Sequence, residues 1–230
     1  MKKLFVLISA ALFVCSFSAN AQFYAGGSLG FTSSSLSVEG SDGSYSGASI
    51  RVTPEVGYQL SDNLSVGVLF GYANGLAAFG SISPNEAYKT IVNIGSAALN
   101  IVKDPVDYKA NILFFNPYVR YNLIESGDFT FGIEAGASYG LADVVLKADD
   151  PADPDTDIKL SLIEIAAKPV ITYAISDNIR LISRLGAAGY QSIGAKAGAK
   201  GEDLKKFGTV SNLGVAASSY NLTFGVEFKF

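Results

Sequence analysis

One phrase occurs three times in the chain and leaves little freedom in how it can fold. Thr53-Pro-Glu-Val-Gly-Tyr-Gln-Leu60 leads through Ser61-Asp62-Asn63 into Leu64-Ser-Val-Gly-Val68. Asn116-Pro-Tyr-Val-Arg-Tyr-Asn-Leu123 leads through Ile124 to Asp128 into Phe129-Thr-Phe-Gly-Ile133. Lys168-Pro-Val-Ile-Thr-Tyr-Ala-Ile175 leads through Ser176-Asp177-Asn178 into Ile179-Arg-Leu-Ile-Ser183. Each copy alternates apolar and polar residues, breaks at a short polar turn, and resumes. A period of two with so short a joint is a β-hairpin. Its recurrence means one supersecondary unit used repeatedly.

The same alternation predicts eight strands. They run over about 22–32, 49–60, 64–72, 113–123, 129–139, 158–175, 179–187 and 220–230. The last is the cleanest, with Leu222, Phe224, Val226, Phe228 and Phe230 against Asn221, Thr223, Gly225, Glu227 and Lys229. The seventh is the least regular. Ile179, Leu181, Leu185 and Ala187 are set against Arg180, Arg184 and Gly186, and Ile182 and Ser183 break the pattern. Between the strands, 33–47, 74–109, 142–157 and 190–218 carry no steady period and read as loops.

Three features select a membrane barrel over a soluble sandwich. Connections alternate strictly between short turns and long loops, as in barrels with tight periplasmic turns and long external loops. The large side chains fall on one face, while Gly, Ser, Thr, Asn and charges fall on the other, which suits a narrow lumen. Tyr and Phe gather at strand ends, where interfacial girdles belong: Phe23, Tyr58, Tyr121, Phe129, Tyr173, Phe228 and Phe230 at the turn end, Phe31, Tyr72, Tyr139, Tyr190 and Tyr220 at the loop end. Closure follows from the solvent, because an open sheet edge in hydrocarbon leaves backbone groups unpaired at several kcal/mol each. The expected fold is an all-β, eight-stranded antiparallel up-and-down transmembrane β-barrel. A ten-stranded form, with an extra hairpin inside 74–109, is the structural alternative. Pro54, Pro117 and Pro169 predict a bulge or weak point in each of three strands.

The first 21 residues read as a secretory leader. Lys2-Lys3 is the charged end, Leu4 to Phe17 the apolar stretch, and Ala19-Asn20-Ala21 the cleavage site, so the barrel domain spans 22–230. Without Lys2 and Lys3 the 17 basic residues become 15 against 21 acidic ones, a net charge of −6 that argues against nucleic acid as a partner. The lone Cys15 lies in the leader, so the exported chain has no disulfide.

The chain resembles the small eight-stranded outer-membrane barrels of the OmpA transmembrane-domain and OmpX type, and most of all the "porin family" barrels of the Bacteroidetes. The resemblance rests on Ala19-Asn-Ala-Gln-Phe-Tyr-Ala-Gly26, the Pro54-Glu-Val-Gly-Tyr-Gln-Leu-Ser-Asp-Asn-Leu64 hairpin and the terminal Phe224-Gly-Val-Glu-Phe-Lys-Phe230. It implies residence in the outer membrane of a Gram-negative cell, contact with lipid and lipopolysaccharide, and recognition of the last strand by the barrel-assembly machinery. A monomer is expected.

The polar face carries Glu55, Arg120, Glu134, Arg184 and Glu227 at similar heights above the turns. Arg120 with Glu134, and Arg184 with Glu227, lie on adjacent strands and are expected to pair, since an unpaired charge inside the barrel is costly. Lys168 is also expected to face the lumen. The network is structural, or alternatively a gate. Asp149, Asp150, Asp153, Asp155 and Asp157, with Glu164 twelfth from Asp153, mimic a calcium loop, but Ile158 holds the position that needs Gly; the reading is a solvated acidic loop, with no metal or cofactor. Lys196 to Lys206 form a basic segment able to meet lipopolysaccharide phosphates or simply to be solvated. With no His in the chain, Ser-His and Asp-His catalysis is impossible, and no enzyme activity is expected. The expected role is non-enzymatic: envelope integrity or surface interaction through the long loops, with a narrow porin-like channel as the alternative and an extracellular ligand left open.

Overall fold

The computed structural model describes residues 22–37, 44–74, 81–82, 107–147, 155–217 and 222–230. Its strands are β1 (Gln22–Ser37), β2 (Ser44–Gln59), β3 (Leu64–Asn74), β4 (Asp107–Ser126), β5 (Phe129–Lys147), β6 (Thr156–Ser176), β7 (Ile179–Arg184), β8 (Ala187–Ala199), β9 (Lys205–Ala216) and β10 (Thr223–Lys229). Eight of them close a ring, every pair antiparallel. β1 to β6 pair in sequence, β6 pairs with β7, β7 with β10, and β10 returns to β1. The closing seam runs from Tyr24 opposite Lys229 to Leu29 opposite Phe224. It is finished where the Phe230 amide donates to the Phe23 carbonyl at 2.9 Å and the two rings meet 6.1 Å apart.

The repeated hairpins form as their sequences dictate. The turns at 60–63, 127–128 and 177–178 are short, and Gly127 supplies the left-handed φ of +58° in the second. Turn backbone is tied to the neighbouring hairpin. The Asn122 amide reaches the Asn63 carbonyl, and the Lys229 amide reaches that of Asn178, each at 2.8 Å. Each proline lies where the ladder toward the next strand lapses. β2–β3 pairing skips from Val52 to Glu55, β4–β5 from Phe115 to Tyr118, and β6 leaves β8 at Ala167 to rejoin β7 at Val170. The expected weak points are therefore real, and they follow from the donor proline lacks.

The third weak point also corrects the reading of strand 7. From Val170 to Ala167, β6 takes three steps while its partner takes four, from Arg184 to Ala188. The extra residue is a bulge at Leu185-Gly186, where Gly186 has φ +69°. Side-chain parity inverts there. Ile182 and Arg184 face inward before the bulge, and Ala187, Gln191 and Ile193 after it. Ala187 is thus inside the barrel, not on the lipid face where simple alternation puts it.

A second correction concerns 190–218. Most of this stretch is a hairpin of β8 and β9, extending the wall upward beside β6. The two strands beyond eight therefore come from here. The expected extra hairpin inside 74–109 falls mainly outside the described residues. Likewise 33–47 and 142–157 are shorter as loops than their composition suggests, since β1 and β2 run to Ser37 and from Ser44, and β5 and β6 to Lys147 and from Thr156.

The outer surface is a belt of exposed Leu, Ile, Val, Phe and Tyr. Phe31, Tyr72, Tyr139 and Tyr190 mark its upper rim, and Phe23, Tyr121, Phe129, Phe228 and Phe230 its lower rim. Soluble proteins rarely expose so continuous an apolar band, whereas a membrane barrel requires one. Above the upper rim the polarity reverses. Asn111, Asp143, Lys159, Lys196 and Lys206 stand in one register line on the outside of β4, β5, β6, β8 and β9. On the inside, Ile112, Val144, Ile158, Leu160, Leu162, Ile193 and Ala195 form a buried core. At that reversal the outer face ceases to suit lipid, and the wall continues as a sheet with an apolar inner face.

Candidate functional site

All five charges singled out in the sequence meet at one level of the lumen, carried by five strands and each at most 5% exposed. Arg120 is the hub. Its Nη1 binds Glu227 at 2.6 Å, and its Nη2 binds Glu55 at 2.6 Å and Glu134 at 3.2 Å. Arg184 is the second fork. Its Nη2 binds Glu55 at 2.7 Å and Glu134 at 3.0 Å, and its Nε also reaches Glu134 at 3.1 Å. The expected Arg120–Glu134 pair is present. The expected Arg184–Glu227 pair is not: Glu227 belongs to Arg120, and Arg184 reaches across the lumen to Glu55 and Glu134. Adjacency in the wall misleads here because the barrel is narrow, so a long guanidinium stem spans it as easily as it reaches next door.

Two tyrosines complete the layer. The Tyr118 hydroxyl donates to Glu55 and lies 2.8 Å from the Tyr24 hydroxyl. The Arg120 guanidinium sits over both rings, 5.6 Å from Tyr24 and 5.2 Å from Tyr118, a cation–π geometry. Room for the rings comes from glycine on the neighbouring strand. Tyr24 is paired with Gly57, Tyr118 with Gly67, and higher up Phe114 with Gly71. A Cβ built on any of these glycines falls onto the partner ring. Sequence reasoning missed this role for the tyrosines, although the signal was there: large rings on a face otherwise made of small residues, with glycines in register opposite.

A cavity of about 70 Å³ lies above the charges, bordered by Ser28, Arg51, Asn116, Glu164, Lys168 and Thr223 among others. Asn116 Oδ1, Arg184 Nη1 and Thr223 Oγ1 are buried without a partner among the described residues, which suits a space large enough for ordered water. Two residues of the β3–β4 connection, Ser81 and Ile82, lie against it as a short strap. The Ser81 amide donates to Glu164 at 2.7 Å, the Ser81 hydroxyl to the same carboxylate, and the Ile82 amide to Gln191 at 3.1 Å. Ile82 packs with Ala166 and Ala187. Lys168 faces the lumen as expected and pairs with Glu164 at 3.2 Å. Glu164 is therefore committed inside the barrel and shares no site with Asp155, which pairs with Lys200 at 3.2 Å. Asp149, Asp150 and Asp153 lie outside the described residues.

Glu164→Ala is expected to release the strap and strand Lys168. Losing a buried charge pair and two hydrogen bonds is expected to cost about 3 kcal/mol. A urea titration of the refolded barrel in lipid vesicles reads it, and an unchanged midpoint would show that the strap carries no stability.

A closed antiparallel ring with a charged, filled lumen and an apolar outer belt defines a small outer-membrane-type β-barrel. One solved structure supports the fold. The chain is similar to a major outer membrane protein of Thermus thermophilus, which covers 92% of this chain and 100% of its own at 12% identity, with a TM-score of 0.52. Neisserial surface protein A covers 92% and 99% at 17% identity with a TM-score of 0.43, and the outer membrane protease OmpT of Escherichia coli 91% and 97% at 10% identity with 0.42. At 12% identity the likeness to the Thermus protein is one of fold alone. No protein-family model matches the chain, and no curated protein matches it in sequence.

Proposed function

We propose that this chain is exported, resides in the outer membrane with its short turns in the periplasm, and acts without catalysis as a closed scaffold that displays its upper hairpins at the cell surface. Envelope integrity and surface interaction are the roles such a scaffold serves. The observation that carries the reading is the filling of the lumen. Five charges and two tyrosines block one level, Ser81 and Ile82 are held inside above it, and an apolar core fills the extension beyond. An eight-stranded interior is narrow enough for side chains to fill. Every fixed charge in the layer is held by an opposite one, so passing an ion would require breaking buried pairs at several kcal/mol.

Planar-bilayer recording tests this. The purified protein is expected to show no steady single-channel conductance. A stable conductance that changes when Glu134 or Arg120 is replaced would overturn the closed scaffold and establish a narrow channel through the charged layer.

A further inference from the structure

The outer face of β6, β8 and β9, just above the upper rim of the belt, is built unlike the rest of the wall. Register places Lys159, Lys196 and Lys206 directly side by side on these three strands. Neighbouring strands lie roughly 4.8 Å apart, so three ammonium groups share a strip about 10 Å wide. Like charges directly opposite one another destabilise a sheet. Only Lys159 has an acidic contact among the described residues, a loose one of 3.8 Å to Asp143, with both groups well exposed. Asp157 stands on the same face, two residues above Lys159. Lys196 and Lys206 have no acidic contact among the described residues.

The row below gives the strip a floor. Ser161, Gly194 and Thr209 are its three members, again in register. A Cβ on Gly194 would meet only Ser161 Oγ at 3.0 Å and Thr209 Oγ1 at 3.9 Å, so the centre is a shallow dip flanked by hydroxyls. One step lower, the Tyr190 hydroxyl donates to Ser211 at 3.0 Å, and Ser211 to Ser192 at 3.1 Å. Below that the face turns apolar, and Leu213 is 83% exposed. Cations, then hydroxyls around a glycine, then hydrocarbon form a vertical sequence that matches one kind of molecule.

The geometry points to a binding site on this face for a phosphorylated glycolipid of the outer leaflet, with its phosphates on Lys159, Lys196 and Lys206, its sugar over Gly194, and its acyl chains against Leu213 and Tyr190. The inference rests on the membrane-scaffold reading above and adds the ligand class and the residues. Lysines beside an anionic lipid surface act roughly additively. The dip at Gly194 and its hydroxyls give the shape and hydrogen bonds that a bare basic patch lacks.

The test uses full-length protein refolded in zwitterionic detergent and titrated with lipopolysaccharide or with its dephosphorylated form. The wild type is expected to bind the phosphorylated form at least tenfold more tightly. K159Q/K196Q/K206Q is expected to lose roughly 100-fold, about fivefold per lysine. S161A/T209A, which leaves every charge in place, is expected to lose a smaller but measurable factor. Millimolar inorganic phosphate is expected not to compete. Heat-modifiable gel migration checks that each variant is folded, since all five positions are on the outer surface. Equal affinity for both lipid forms, or no loss in the triple variant, overturns the site. Displacement by inorganic phosphate alone overturns the lipid assignment. Failure of the wild type to insert into bilayers instead overturns the membrane scaffold itself, so the two failures are distinguishable.

Discussion

Arg120→Ala is expected to abolish stable folding of the barrel in lipid. Arg120 holds Glu227, Glu55 and Glu134 at once. Without it, Arg184 still serves Glu55 and Glu134, but Glu227 has no cation within bonding distance among the described residues and the layer keeps three carboxylates for one guanidinium. Breaking a buried pair from one side costs about 3–5 kcal/mol. That is a large share of the roughly 5–15 kcal/mol that keeps a domain folded. The readout is the fraction of unheated protein that migrates in the compact form after refolding, followed by a urea midpoint for whatever folds. Two companions separate charge from shape. Arg120→Lys keeps the charge but cannot fork to Glu227 and Glu55 together, and should fall between the wild type and alanine. Adding Glu227→Gln to Arg120→Ala removes the stranded carboxylate and should recover part of the loss. Wild-type stability in Arg120→Ala would mean that the charged layer is not what holds the wall in register.

The charged layer was legible because it uses the same alternation that defines the strands. Once Val56, Val119, Ile133 and Val226 face lipid, Glu55, Arg120, Glu134 and Glu227 have nowhere to point but the lumen. Counting residues from each turn then brings them to one height. What alternation cannot supply is connectivity across the ring: strand adjacency pairs Arg184 with Glu227, whereas Arg184 crosses to Glu55 and Glu134. Strand 7 shows a second limit. One inserted residue at Leu185-Gly186 inverts parity, and a glycine that permits a left-handed φ leaves no mark on the apolar pattern beyond the irregularity at Ile182 and Ser183. The third limit is solvent. Above the membrane an outward side chain no longer has to be apolar, so β8 and β9, with Ser192, Lys196, Thr209 and Ser211 turned outward, read as loop although they are strand. The Ser81–Ile82 strap had no legible signal, because its partners Glu164 and Gln191 are about 80 to 110 residues away in sequence.

Gly67→Val is expected to be the most damaging change that alters no charge. Gly67 on β3 faces the lumen opposite Tyr118 on β4, and the Tyr118 ring lies across its backbone. A valine there cannot coexist with the ring, and the ring has no free direction to take. Its hydroxyl is held by Glu55 and Tyr24, and the Arg120 guanidinium stacks on its face. Expelling Tyr118 therefore removes a hydrogen bond from a buried carboxylate and a cation–π contact from the hub, besides the overpacking itself. Overpacking costs about 1–3 kcal/mol, and the lost hydrogen bond to a charged carboxylate about 1.5–3 more, although Glu55 keeps Arg120 and Arg184. The sum approaches that of Arg120→Ala without touching a charged residue. The double variant Gly67→Val with Tyr118→Ala separates the two contributions. It relieves the clash but leaves Glu55 without its hydroxyl, so it should recover only the packing share in a urea titration. If Gly67→Val alone refolds with the wild-type midpoint, the ring does not depend on the glycine, and the pairing of Tyr24 with Gly57 and Phe114 with Gly71 loses its physical reason as well.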